Sequence, residues 1–75
     1  MQTLWLGYNG LDLPFRQIVA IINYRPALDP WIAASYGHVP LGVQAVVVTD
    51  AGNYLPARWP VERLRAQWTR WREVA

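Results

Sequence analysis

The chain has no cysteine and no lysine, and only one histidine, one serine, one methionine and one phenylalanine. The absence of cysteine excludes disulfides, thiolate metal sites and a thiol nucleophile. Charged residues are scarce as well, at 16% against roughly a quarter in ordinary soluble domains. Carboxylates are few and scattered: Asp12, Asp29, Asp50, Glu62 and Glu73. Paired acid–base chemistry has little to work with, and no metal-ligand spacing is present. Ser35 and His38 stand three apart beside Gly37, but nothing near them in sequence would orient the histidine, so a polar helix end is the plainer reading. There is no glycine-rich phosphate loop, because Gly7-Tyr8-Asn9-Gly10 reads as a hairpin turn. An enzyme is the least favoured class, and no cofactor or metal is implied.

What is present is apolar. Of 75 residues, 53% are hydrophobic, which excludes a disordered chain and suits one small domain spanning 1–75. A domain of this length buries only roughly 60% of its unfolded surface. High apolar content on so few charges points to surface covered by a second copy or by a partner. The net charge is +2, and all seven basic residues are arginine, whose planar fork suits phosphate and carboxylate. From Pro30 to Thr49 no residue carries a formal charge. Gly37, His38, Pro40, Gly42 and Gln44 in that window argue against a spanning helix, and no signal peptide is evident at the start. A cytoplasmic protein without a membrane partner is expected.

Local signals divide the chain cleanly. Leu4-Trp5-Leu6 opens a strand, Asn9-Gly10 is a turn, and Leu11 to Leu13 returns in alternation. Ile18 to Ile22 is a continuous β-branched run that predicts a strand buried on both faces. Asp29-Pro30 starts a short helix with Asp29 as N-cap, running Trp31 to Tyr36 and ending at Gly37. Val43 to Thr49 is a second apolar strand, and Asp50 to Asn53 turns it into Tyr54-Leu55, where Pro56 marks an edge. Pro60 opens the last helix. Its apolar residues Val61, Leu64, Trp68, Trp71 and Ala75 recur at 3, 4, 3, 4 and form one stripe. Glu62 with Arg65, and Arg70 with Glu73, have ion-pair spacing. The expected fold is α+β: a small antiparallel sheet of about four strands, a short central helix and a C-terminal α-helix.

Five tryptophans exceed what so small a core can enclose. Two or three would fill it; the others belong in an oligomer or partner interface, where Trp is enriched. The interface candidates are Trp5, Trp31, Trp68 and Trp71, the last two first. Arg16, Arg25 and Arg58 lie at strand ends or in loops, outside the helical ion-pair ladder, where convergence would let them contact phosphates.

Three blocks carry a resemblance. Leu4-Trp5-Leu6-Gly7 with Leu13 through Ile22, then Ser35-Tyr36-Gly37, then Ala45 to Asp50 with Tyr54-Leu55 and the helix from Pro60 together resemble the bacterial extracellular-matrix regulators, the Rem family (RemA and RemB). They cover about two-thirds of the chain and are apolar runs with turns at matching places. The resemblance implies a small α+β subunit that forms a ring-like homo-oligomer and binds DNA as a transcriptional regulator. It also implies a DNA contact at Arg16, which stands just ahead of the Ile-Val-Ala-Ile run as the family's basic residue does. Where the RemA branch carries arginines after Tyr-Gly, this chain has His38-Val39-Pro40. The reading from a different class is a Trp-rich interaction module, an adaptor or inhibitor of cellular or phage origin that docks on a larger protein.

Overall fold

The computed structural model describes residues 2–74. In chain order its elements are β1 (Thr3–Trp5), β2 (Asp12–Pro14), β3 (Ile18–Asn23), α1 (Asp29–Tyr36), β4 (Ala45–Thr49), β5 (Tyr54–Ala57) and α2 (Val61–Val74). The fold is α+β, with five short antiparallel strands in two small sheets. The sequence suggests a sheet of about four strands; the structure divides five into a two-stranded hairpin, β1-β2, and a three-stranded sheet ordered β3-β4-β5. A single 3₁₀ turn, Phe15–Gln17, stands between β2 and β3 and separates the sheets.

In the hairpin, Leu4 stands opposite Leu13, and the loop closes with Leu11 donating to the Tyr8 carbonyl at 3.1 Å. Gly10 supplies the positive φ that the third position of this turn requires. Gly7 is more constrained. At φ +93°, a Cβ there would lie 2.7 Å from the Arg58 Cβ and 3.2 Å from the Trp59 ring. The hairpin loop thus sits directly on the junction between β5 and α2, where the Arg58 N–H donates to the Leu6 carbonyl at 2.8 Å.

The strand buried on both faces is β4, with four of five residues buried, and not β3. A continuous β-branched run looks the same in a central and in an edge strand; β3 lies at the edge, and Val19 is 57% exposed. A bulge between the Ile18–Thr49 and Ala20–Val48 pairs puts one extra residue into β3, so Ile18 and Ile21, three apart, are both buried.

Two layers cover the larger sheet. On one face Ile21, Val47 and Leu55, aligned across the strands, join Leu4, Leu6, Val61 and Leu64 in the main core. On the other, Val46 and its partner Pro56 are buried along with Ile32, the one buried residue of α1. The β5 edge is closed: the Tyr54 N–H donates to the Ser35 hydroxyl at 2.9 Å. Pro56, two residues on and pointing the same way, has no N–H to leave unpaired. Helix α1 begins at Asp29 with no side-chain cap. The 3₁₀ turn Pro26–Leu28 already places Leu28 in helical geometry, so the expected N-cap role of Asp29 is displaced. Its carboxylate instead accepts from the Tyr24 hydroxyl at 2.5 Å. Gly37, at φ 106°, ends the helix as expected. Ala75, the last position of the predicted α2 stripe, lies outside the described residues. Among those residues no helix is long and apolar enough to cross a membrane.

Candidate nucleic-acid interface

The three loop arginines do not all converge within the chain. Arg16 precedes β3 and Arg25 follows it, so a six-residue strand separates them by roughly 20 Å. Arg25 and Arg58 do share an end of the sheet. The Tyr24 N–H donates to the Gln44 carbonyl at 3.2 Å, the Gln44 N–H donates to Ala57 at 2.9 Å, and the Gln44 side-chain amide donates to the Arg58 carbonyl at 2.7 Å. All three arginines are exposed.

Helix α2 unites the set. It leaves the sheet at Arg58, passes the middle of β3, and brings Trp71 onto Phe15 beside Arg16, ring centroids 5.5 Å apart and nearly parallel. Arg25 and Arg65 line one shallow cleft at the β3 edge with Ile22 and Asn23. The segment 58–74 therefore carries five arginines against two glutamates, with Arg16 and Arg25 beside its two ends. Between Pro26 and Ala57 there is no arginine at all, only Asp29, Asp50 and His38.

Several guanidinium groups are held in place by neighbours. Arg58 lies over the Tyr8 ring at 4.9 Å, Arg63 over Trp59 at 4.3 Å and Arg72 over Trp68 at 5.3 Å. A guanidinium stacked on a ring keeps its N–H edges directed outward, so the aromatic partner orders the cation without consuming its donors. Arg65 is used differently. Its Nε and Nη2 both donate to the Ile21 carbonyl, at 3.2 and 2.8 Å, and so cover the β3 edge in place of the expected partner Glu62. The Trp59–Arg63 and Trp68–Arg72 contacts were accessible to sequence reasoning as Trp and Arg four apart. The Arg58–Tyr8 contact, across 50 residues of chain, left no local signal.

The four tryptophans expected at an interface separate into two pairs. Trp5 and Trp31 are exposed at 50% and 57%, while Trp68 and Trp71 are half-buried against the main core. Trp31 tilts over Tyr54 at 5.2 Å, and the Trp5 carbonyl accepts from the Trp59 indole N–H at 3.2 Å. The tyrosines act chiefly as stitches: Tyr8 donates to the Leu41 carbonyl at 2.7 Å and Tyr36 to the Asn9 carbonyl at 3.0 Å, tying the hairpin loop to the end of α1 and the segment after it.

Ser35 and His38 are drawn apart in role. The serine hydroxyl caps the β5 edge, and the imidazole lies against Tyr36 at 5.0 Å. Among the described residues no three His, Asp or Glu side chains gather into a metal site. No family model, curated protein or solved structure matches the chain.

Proposed function

We propose that the protein is a small self-associating regulator that binds the phosphate backbone of duplex DNA through the arginine-bearing side of α2. The observation that supports this most directly is the segregation of charge. Every arginine lies on α2 or beside its two ends, while the stretch across the opposite side of the sheet has none. Arginine contacts to phosphate supply affinity and position without reading bases. Exposed guanidinium groups ordered by aromatic rings are suited to that task. Arg16 and Arg25, separated in one subunit, would come into register with other arginines only around an assembly, as the Rem resemblance implies.

The second reading, a protein-docking module, draws on the other side of the molecule. Trp31 and Leu41, the latter 92% exposed, are large apolar groups in the stretch without arginine. That surface suits either self-association or a larger protein partner.

The deciding experiment is anisotropy of a long duplex at low and physiological salt, with subunit mass measured in parallel. Binding should fall steeply with salt. Arg58→Ala with Arg63→Ala should flatten the log–log slope by about one for each phosphate that is no longer neutralised, and Arg16→Ala should act likewise. Ala34→Arg, a cation placed on exposed α1, should leave the slope unchanged. No duplex binding at low salt overturns the DNA reading and favours the docking module.

A further inference from the structure

The flank of α2 that faces β1 holds a groove of different character from the rest of the basic surface. Its wider part, ≈ 490 Å³, is lined by Gln2, Thr3, Phe15, Gln67, Arg70 and Trp71. A narrower part of ≈ 260 Å³ continues along the helix past Arg63, Ala66, Gln67 and Arg70. Gln67 and Arg70 line both, so the two parts adjoin along the helix. Positions 63, 67 and 70 lie on one face of the helix, and Arg63 and Arg70 stand about 10 Å apart along its axis. Among the described residues no carboxylate side chain lines either part.

The chemistry of this lining is specific. Two guanidinium groups favour a phosphate, which each can hold by paired N–H donors. At the wide end Trp71 is already seated on Phe15, so an aromatic surface stands ready with little ordering left to do. The amides of Gln2 and Gln67 offer both donors and acceptors to the edge of a planar heterocycle. On the opposite flank of α2 Arg65 is bonded to the Ile21 carbonyl, and Arg72 lines neither part of the groove.

We infer that this groove binds a nucleotide unit, with its base against Trp71 and its phosphate on Arg70 and Arg63. The unit has two sources, a free mononucleotide or an unpaired nucleotide within a single strand, and both share the same base-and-phosphate chemistry. The site does not depend on duplex binding, because the groove takes one exposed base and one phosphate.

The test uses the full chain and follows tryptophan fluorescence during titration with adenosine monophosphate, ribose 5-phosphate and a short oligothymidylate. Adenosine monophosphate or the oligomer should bind saturably, and ribose 5-phosphate roughly tenfold or more weakly, because it has no base to stack. Arg70→Ala should weaken binding roughly tenfold or more, and Gln67→Ala should weaken it less. Ala34→Glu, which lowers the net charge by the same one unit on the exposed side of α1, should bind as the parent does. All three residues are exposed, and circular dichroism checks that each variant keeps the fold. Tighter binding of the oligomer identifies a strand as the source, and tighter binding of the mononucleotide identifies a free ligand. Absence of saturable binding by both overturns the inference. So does equal binding of ribose 5-phosphate, or an Ala34→Glu loss equal to that of Arg70→Ala. Any of these results leaves duplex binding to be judged separately from its salt dependence.

Discussion

The two sides of the β3-β4-β5 sheet are built on different terms. One is sealed by the β1-β2 hairpin together with the 14-residue helix α2, and its core runs without interruption from Leu4 to Leu64. The other is covered by an 8-residue helix that buries only Ile32, and Ala20, Ile22 and Val48 remain partly exposed beside it. Charge is divided as well, with five arginines in the segment 58–74 over the sealed side and none between Pro26 and Ala57, while Arg25 and Arg65 reach the β3 edge beside Ile22. Burial and electrostatics are thereby separated from apolar exposure. One side holds the molecule together and presents cations to solvent. The other has apolar surface to lose and little like-charge repulsion to oppose a second copy.

The comparison breaks most readily at its centres. Leu64→Ala, in the main core, should cost about 3–5 kcal/mol, and Ile32→Ala about 2–3 kcal/mol because the thinner layer can collapse around the gap. Denaturant unfolding reads both values. An Ile32→Ala cost equal to that of Leu64→Ala would mean that the two sides carry the fold equally. Gly7→Ala probes how the hairpin is fastened to the sealed side. The backbone strain and the 2.7 Å approach to the Arg58 Cβ should destabilise the protein by about 1–3 kcal/mol. A thermal midpoint equal to that of the parent would show that the junction yields.

A smaller effect sharpens the contrast between the tryptophans. On the proposed self-association, Trp31→Ser should lower the mass at fixed concentration while changing monomer stability by less than about 1 kcal/mol, since its ring is more than half exposed. Unchanged mass in light scattering would move the contact to Trp5 or to the α2 side. Trp71→Ala is the poorer probe of assembly, because it also removes the stack on Phe15.

The smallest effect is electrostatic. The hydrogen bond to the Asp29 carboxylate holds the Tyr24 phenol above its ordinary value of 10.0, with lesser contributions from partial burial and from the carboxylate charge. A raised value means that the bond contributes its stability at and below the ordinary tyrosine range and loses it as pH rises through the folded-state value. Asp29→Asn should bring the Tyr24 titration, followed by phenolate absorbance, back toward 10.0. An unchanged titration would show that Asp29 is not its cause.

Much of the local structure was legible because its causes are local. The Gly37 stop, the Asn9-Gly10 turn, the edge position marked by Pro56 and the α2 stripe each act within a few residues. Less of the candidate interface could be read. Arg16, Arg25 and Arg58 stand out in the sequence as arginines outside a helix, yet their grouping depends on strand order. The groove beside Arg70 brings β1, Phe15 and α2 together from opposite ends of the chain, so no spacing announces it. Trp68 and Trp71, candidates for an outer contact by their number, lie against the core because the stripe that holds them is the one that seals it.

The sequence by itself determined where strands and helices lie, how they are punctuated, and that arginine would be the sole strong cation. Those properties follow from side-chain periodicity and backbone preferences, which depend on near neighbours. Only the tertiary structure decided that β4 and not β3 is the enclosed strand, that the hairpin forms its own sheet, and that the cations gather around one helix. Each of these depends on which distant segment lies alongside. Identical apolar runs become edge or centre, and separate arginines become one surface, only when the chain closes on itself.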